Sequence, residues 1–280
     1  MDFYKVNVNG HDIQVADYPG DGETIIAIHG LTGTHRNMHH YAQRYKGRFR
    51  VIAVDLRGRG NSSGLDAEPS IFKHAEDIIG LIGKFGIRQP ILIGHSMGAF
   101  ISAIVASRLQ SVQAVILLDG AAQMSEHQQA IVKPSLARLS KQYRSKADYV
   151  DEIKTIYSGL GISWNETLQE TVEYEVGQTG GHWENKSEEA GILADFDSFY
   201  QFVPKEICPD IRCPVLLVYA KGNIGPMPPL FYLDDYADTQ KFTEDLTVTV
   251  SDSNHYTMVF EERQEIFGAI DAFLAKTEQA

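Results

Sequence analysis

The sequence has little cysteine, no long apolar segment and no excess of positive charge. Its two cysteines, Cys208 and Cys213, lie five residues apart and each precedes a proline, so they form neither a Cys-x-x-Cys metal pair nor a disulfide framework. No apolar run approaches the roughly 18 residues that a membrane-spanning helix needs. A net charge of −12, from 25 basic and 37 acidic residues, argues against binding to nucleic acid or to an anionic membrane.

Composition and the first residues indicate a soluble globular protein of the cytoplasm. The chain has 280 residues, of which 43% are hydrophobic and 10% aromatic, which suits a protein with a sizeable core. Its N-terminal residues show no charged segment followed by an apolar one, so no secretory signal is expected. Cys208 and Cys213 are therefore expected to be reduced structural thiols.

Three closely spaced histidines come nearest to a metal-binding pattern. His35 and His39 lie four residues apart, and His40 follows directly. A metalloprotease helix with this spacing carries its acid beside the first histidine, but Arg36 takes that position and no Asp or Glu occurs from 34 to 49. The sequence therefore predicts no metal site and no cofactor.

Nearly all-apolar runs alternate with segments of helical period through the first 120 residues. Runs without polar positions are typical of strands buried on both faces, and their alternation with helices predicts βαβ units and a parallel sheet. An antiparallel hairpin that turns at Asn9-Gly10 is expected to come first. The predicted strands are 3–8, 12–18, 24–28, 50–54, 91–93 and 114–118, and the predicted helices are 36–45, 70–84 and 97–109.

This alternation stops after Asp119 and returns near the C-terminus. Strands are predicted at 214–219 and 246–250, followed by a helix near 261–276. The stretch between shows no strong strand pattern, only helix-favouring segments at 125–143, 147–158, 165–176 and 187–201. We therefore expect an α/β core formed by 1–120 and 206–280, interrupted by a helical lid at 121–205.

The pentapeptide at 94–98, Gly-His-Ser-Met-Gly, joins a predicted strand to a predicted helix. A sharp turn there would hold the Ser96 hydroxyl clear of the backbone, and glycine at both ends would let strand and helix pass closely. In an open parallel sheet the residues that follow the strands gather at one edge. A base and an acid for Ser96 are therefore expected among the residues that follow strands: His29, Asp55, Asp119, Asn223 and His255.

His255 is the expected base, because it lies on the loop between the last strand and the last helix. An activated serine needs such a neighbour to take its proton. The backbone amides of Leu31 and Met97 are expected to hold the oxyanion of a tetrahedral intermediate.

Three further residues are expected to contact substrate. Gly30 would let the backbone approach a ligand, and His95 would shape the turn around the serine. Trp183 follows two glycines in the lid and is expected to line an apolar pocket for an acyl group or a lactone ring.

The chain resembles the α/β-hydrolase superfamily, in particular its epoxide-hydrolase and esterase-like members. The resemblance rests on His29-Gly30, the segment 55–62, the turn at 94–98 and Asn254-His255. It implies an α/β-hydrolase fold: a mostly parallel central sheet flanked by helices, with an inserted helical lid. A serine at 96 favours attack on acyl carbon, because epoxides and alkyl halides are opened in this fold by a carboxylate.

One position departs from the family pattern. Most relatives place the acid of the triad after the strand at 214–219, where this chain has Asn223. Asparagine cannot carry the charge that stabilises an imidazolium. Asp119 ends the neighbouring strand, as the acid does in some relatives, and is the favoured substitute. The other carboxylates considered are Glu126, Asp234, Asp235 and Asp252.

The sequence thus predicts a serine hydrolase that cleaves a carboxylic ester or lactone with a largely apolar body through an acyl-enzyme. Ser96 would attack, His255 would relay the proton and Asp119 would orient His255. The expected partner is the small-molecule substrate alone, while the natural substrate, its chain length and assembly as a homodimer are left open. Two alternatives stay open: a cofactor-independent dioxygenase of N-heteroaromatic substrates, which also pairs His with such an Asp, and a non-catalytic small-molecule receptor.

Overall fold

A mixed eight-stranded sheet lies at the centre of the computed structural model, which describes residues 1–65 and 68–277. The remaining positions of the predicted core, 66–67 and 278–280, lie outside the described residues. The strands, numbered along the chain, are β1 (Asp2–Val8), β2 (His11–Tyr18), β3 (Thr24–Ile28), β4 (Arg50–Val54), β5 (Ile91–His95), β6 (Ala114–Leu118), β7 (Gln142–Tyr143), β8 (Val176–Thr179), β9 (His182–Asn185), β10 (Val215–Ala220) and β11 (Leu246–Ser251).

The large sheet has the spatial order β1-β2-β4-β3-β5-β6-β10-β11. β1 pairs with β2 and β2 with β4 in antiparallel fashion, and every later pair is parallel. The parallel strands in the middle of the sheet are mostly apolar because both of their faces are covered, as in β6, where all five residues are apolar and buried. β11 forms an edge and alternates Thr with Val; Val250 there is half exposed.

Helices cover both faces of this sheet. Among the described residues they are α1 (His39–Tyr45), α2 (Ile71–Phe85), α3 (Met97–Arg108), α4 (Glu126–Leu136), α5 (Lys146–Gly159), α6 (Glu166–Glu175), α7 (Glu189–Ser198), α8 (Pro204–Ile207), α9 (Ala237–Phe242), α10 (Thr257–Phe260) and α11 (Gln264–Thr277). α1 and α11 pack together on one face through Tyr41 and Phe267, whose ring centroids lie 5.6 Å apart. α2 and α3 cover the other face. No helix in the described parts of the chain is long and apolar enough to cross a membrane.

Among the described residues, the segment between β6 and β10 contains α4 to α8, of which α4 to α7 correspond to the four segments predicted as helical and α8 was not predicted. It also contains a three-stranded antiparallel sheet in the order β7-β9-β8. This small sheet was not predicted, and β7 lies at the end of the segment 125–143 that was predicted as helical. Gly180 and Gly181 have φ values of 57° and 89° and reverse the chain between β8 and β9, which only glycine does without strain. Strands of two to four residues are too short to leave a two-residue periodicity in the sequence.

Candidate active site

Ser96 sits in a strained turn between β5 and α3, with φ 53° and ψ −116°. A Cβ atom on Gly94 would lie 2.0 Å from the carbonyl oxygen of Gly98, and one on Gly98 would lie 2.1 Å from the carbonyl oxygen of Ile28. No side chain fits at either position, so the two glycines permit the close crossing of strand and helix. The turn presents Ser96 to a cavity between the core and residues 121–205, the segment predicted as a lid and called the lid below.

His255 and Asp119 form a buried pair, with Nδ1 of His255 2.7 Å from Oδ2 of Asp119. Asp119 follows β6 with φ 48° and is fully buried. Its other oxygen, Oδ1, accepts hydrogen bonds from the amide of Ala220 and the hydroxyl of Tyr236, both at 3.1 Å. These bonds fix the carboxylate, which in turn holds the proton of the imidazole on Nδ1 and leaves Nε2 as the acceptor.

The other carboxylates considered from the sequence lie elsewhere. Asp252 pairs at the surface with Lys221 at 2.7 Å, and Asp235 accepts hydrogen bonds from Gln128 and the amide of Tyr232. Glu126 and Asp234 are exposed.

Asn223 is also exposed. Its backbone carbonyl accepts a hydrogen bond of 3.2 Å from Nδ2 of Asn254, beside His255. Of the carboxylates considered, all within the described residues, Asp119 is the one that the structure brings to His255.

Gly30 and His95 lie beside Ser96, and both line the cavity. Nε2 of His95 lies 2.8 Å from the carbonyl oxygen of His255, and the two rings are 4.7 Å apart. Burial and the neighbouring His255 hold the pKa of His95 well below its ordinary value, so the ring is neutral and donates from Nε2. A Cβ on Gly30 would lie 3.1 Å from Nδ1 of His95 and 3.2 Å from Cβ of Ser96, so only glycine fits there comfortably.

His29 links the loops that follow β3 and β4. Its Nδ1 donates to the carbonyl oxygen of Gly30 at 2.7 Å, and its Nε2 accepts from the amide of Leu56 at 3.0 Å. Burial lowers the pKa of His29 to about 3, so the ring stays neutral and keeps both bonds. His29 therefore stabilises the conformation of the loop beside Ser96.

Of the two expected oxyanion donors, Leu31 lines the same cavity as Ser96, and Met97 directly follows Ser96 in the chain. Leu31 sits in a turn closed by the bond from the amide of Gly33 to the carbonyl of Gly30, 3.1 Å. Met97 is the first residue of α3, where an amide has no preceding helical carbonyl to bind and the helix dipole favours negative charge. Both positions suit the stabilisation of an oxyanion next to the serine.

The cavity has a volume of about 230 Å³ and mostly apolar walls. The lid supplies Met124, Leu136, Ile156, Leu160, Phe196 and Phe199. Arg138 lines the same space and donates from one Nη to Oγ1 of Thr32 at 3.3 Å. The sequence contained no signal for Arg138, because a single arginine in a polar lid segment resembles a solvated one.

Trp183 lies outside this cavity, which corrects the sequence-based expectation. It is on β9 and pairs with Tyr143 and Gln178 of the neighbouring strands. The ammonium of Lys146 lies 5.4 Å from its ring centroid. The glycines before Trp183 form the hairpin turn of the small sheet, so they place the indole against the lid's own core.

The three clustered histidines take separate roles. Nδ1 of His35 lies 2.7 Å from Oδ1 of Asp55, whose other oxygen accepts from the hydroxyl of Tyr174 at 2.6 Å. The rings of His39 and His40 contact each other edge to face. Over the described ranges no three potential ligand side chains cluster as a metal site would require.

Comparison with known proteins decides the family, since a model of the alpha/beta hydrolase family matches residues 25–269. The chain belongs to the alpha/beta hydrolase family. This confirms the resemblance and the fold class predicted from the sequence.

Two curated relatives of this alpha/beta hydrolase are hydrolytic enzymes by name. N-formylmaleamate deformylase of Pseudomonas putida is 26% identical over 273 residues, which cover 96% of this chain and 95% of that protein. 2-(Acetamidomethylene)succinate hydrolase of Mesorhizobium japonicum is 34% identical over 101 residues, 36% of each chain. A solved structure of E-2-(acetamidomethylene)succinate hydrolase shares the fold, with a TM-score of 0.85, 22% identity and coverage of 98% of both chains.

Proposed function

We propose that this alpha/beta hydrolase is a serine hydrolase that transfers the acyl group of a small carboxylate-bearing substrate to water. The observation that carries the proposal is the convergence of Ser96 and the His255–Asp119 pair at the rim of one cavity. Each residue comes from the end of a different strand, which is where ligands bind in open α/β sheets.

The geometry supports catalysis in two stages. Oγ of Ser96 attacks the acyl carbon while Nε2 of His255 takes its proton, and Asp119 stabilises the imidazolium that forms. The amides of Leu31 and Met97 bind the oxyanion. His255 then gives the proton to the leaving group, and water, activated by the same imidazole, releases the acid from the acyl-enzyme.

The cavity suggests the substrate class. Its walls are apolar except for a few polar side chains, of which Arg138 carries a permanent positive charge. A guanidinium binds a carboxylate through two parallel hydrogen bonds, which fixes orientation as well as affinity. The names of the two relatives above specify a maleamate and a succinate, both of which carry carboxylates. We propose that Arg138 binds the carboxylate of a substrate whose apolar part contacts Phe196 and Phe199.

The scissile bond is an ester or lactone by the sequence-based prediction. The relatives' names also include a deformylase of an N-formyl group and a hydrolase of an acetamido compound, so amides join the proposed set. Serine acyl transfer accommodates all three, because only the leaving group differs. The dioxygenase and receptor alternatives stay predictions; turnover that continues without oxygen would exclude the first, and covalent labelling of Ser96 would exclude the second.

A matched panel of acyl compounds tests the proposal. Its members are p-nitrophenyl butyrate, mono-p-nitrophenyl succinate, a γ-lactone and succinanilic acid, with Ser96→Ala protein as the blank for each. We expect turnover of at least one member and its loss in Ser96→Ala, while Ser135→Ala, which removes a hydroxyl from the lid wall of the cavity, stays within about threefold of wild type. Equal rates for wild type and Ser96→Ala across the panel would contradict the proposal.

The cytoplasm is the proposed site of action. Cys208 and Cys213 are buried free thiols, and burial raises the pKa of each to about 11. Such thiols are unreactive and suit a reducing compartment. Fractionation of the native host with an antibody against the protein would test the location.

A further inference from the structure

Arg59 places a fully buried guanidinium behind the proposed oxyanion donors. Its Nε donates to the carbonyl oxygen of Leu31 at 3.0 Å, and one Nη donates to the carbonyl of Arg57 at 2.9 Å. The other Nη lies 3.9 Å from Sδ of Met97. One side chain in the core therefore contacts both residues whose amides are proposed to bind the oxyanion.

The counter-ion of Arg59 comes from the lid. Oδ2 of Asp195, on α7, accepts from Nη1 of Arg59 at 2.5 Å and lies 3.0 Å from Nε2 of His74. Burial raises the pKa of Asp195, but the neighbouring Arg59 and His74 outweigh it and hold this pKa below its ordinary value. Asp195 is therefore an anion, and the contact between lid and core at this point is an ion pair shielded from water.

Stability alone does not account for this ion pair. Two charges taken out of water lose much solvation energy, and apolar residues of similar volume often stabilise a protein as well or better. The pair also leaves Oδ1 of Asp195 and Nδ1 of His74 buried without hydrogen-bond partners, which adds to its cost. What the pair does provide is a fixed position for the guanidinium, and hence for Leu31.

We infer that Arg59 is a positioning residue for the oxyanion hole, and that Asp195 makes this positioning depend on the seating of the lid. The bond from Arg59 to the Leu31 carbonyl restrains the residue whose N–H is proposed to bind the oxyanion. Phe196, next to Asp195, and Phe199, just after α7, line the substrate cavity. A substrate held against these rings thus fixes the same lid segment that holds Arg59. The inference rests on the proposed function, and it adds a link from lid to catalysis.

Asp195→Asn tests this link, because the amide keeps the size of the carboxylate and removes its charge. With the active panel substrate, kcat should fall about 10²-fold, the scale of one lost oxyanion donor, while KM changes less than about threefold. Arg59→Lys, which keeps the charge but lacks the Nε donor to Leu31, should show the same split and serves as the second variant if Asp195→Asn folds poorly.

Tyr174→Phe is the matched control. It also removes a hydrogen bond between lid and core, the part-buried one from the Tyr174 hydroxyl to Asp55 at 2.6 Å, but Asp55 makes no contact with Leu31 or Met97 among the hydrogen bonds of the described residues. All variants are assayed well below their melting temperatures. The inference would be overturned if kcat fell as much in Tyr174→Phe as in Asp195→Asn. It would also be overturned if Asp195→Asn raised KM in place of lowering kcat.

Amide hydrogen exchange separates a failure of this inference from a failure of the proposed function. Asp195→Asn should raise the exchange rate of the segment 30–33 at least about tenfold, and Tyr174→Phe should leave that segment unchanged. This measurement needs no substrate. If exchange at 30–33 is unchanged in Asp195→Asn, the link from the lid to the oxyanion loop is refuted even where the hydrolase proposal holds. If exchange rises in Asp195→Asn but the wild-type protein turns over no panel substrate, only the hydrolase proposal is refuted.

Discussion

The edge of the core that holds Ser96, Asp119 and His255, called the rim here, differs from the lid in the side chains that it brings to the active site. The rim supplies hydrogen-bonded polar groups on strained backbone, with φ 53° at Ser96 and φ 48° at Asp119. The lid supplies mostly apolar side chains, with Gln128, Ser135 and Tyr157 as polar groups and Arg138 as the one cation among its described cavity-lining residues. Strained backbone persists only where the surrounding structure determines it fully, and the buried parallel strands provide that support. We propose from this comparison that the rim carries out the chemistry and that the lid side chains lining the cavity set selectivity, while Asp195 of the lid acts on the chemistry only through Arg59.

The largest effect expected from this comparison is a fall in kcat when Asp119, on the rim, is substituted. Asp119→Asn keeps the shape of the side chain but cannot stabilise the imidazolium of His255, so kcat should fall at least about 10³-fold. Steady-state kinetics on the active panel substrate measure it. The control is Asp235→Asn, since Asp235 bonds to Gln128 and Tyr232 rather than to the histidine, and it should stay within about threefold. Wild-type activity in Asp119→Asn would show that another group orients His255.

A smaller effect, in KM rather than kcat, is expected from Arg138 in the lid. Arg138→Ala removes a charge-assisted hydrogen bond worth roughly 1.5–3 kcal/mol, so KM for mono-p-nitrophenyl succinate should rise about 10–100-fold. KM for p-nitrophenyl butyrate, whose acyl chain has the same number of carbons but no carboxylate, should hardly change. Lys141→Ala, which removes a nearby exposed charge, should affect neither. Equal changes of KM for both esters would contradict the proposal that Arg138 binds the substrate carboxylate.

The smallest effect concerns stability and is confined to the lid. Burial raises the pKa of Glu175 to about 7, against the opposing effects of Arg138 and of the hydrogen bond from Tyr149. The folded protein therefore keeps this proton to a higher pH than the unfolded chain does, and stability falls as pH rises from about 4.5 to about 7. Glu175→Gln should gain on the order of 3 kcal/mol relative to wild type between pH 4.5 and pH 8.

Urea unfolding across this pH range measures the difference. Glu173→Gln, on the same helix but partly exposed, should follow the wild-type curve. A difference between Glu175→Gln and wild type that does not vary with pH would show that Glu175 titrates as an ordinary carboxyl group.

The residues of the rim could be predicted because backbone geometry determines them. Ser96, Asp119 and His255 each follow a buried strand, and the carboxyl ends of parallel strands converge at one edge. Because this chain has Asn223 where most relatives have the acid, the sequence favoured Asp119 as the acid. The structure brings Asp119 to His255. Short-range patterns in the sequence therefore contained enough information to place side chains more than a hundred residues apart together.

The residues of the lid could not be predicted in this way, because packing between distant segments determines them. Arg138 and Asp195 occupy segments without a recognisable motif, and each gains its role from a partner in the core, Thr32 or Arg59. Trp183 was expected in the cavity because it is large and follows two glycines, but those glycines form a hairpin turn. An aromatic residue in a lid packs equally well against substrate or against the lid itself, and sequence alone does not separate the two.

Covalent labelling mapped by mass spectrometry tests the central claim most directly. A fluorophosphonate reacts only with a serine that is activated by a neighbouring base and faces an oxyanion site. The wild-type protein should gain one adduct, on the peptide that contains Ser96, and His255→Ala should label at least about 10²-fold more slowly. The absence of an adduct on Ser96, or equally fast labelling in His255→Ala, would contradict the account.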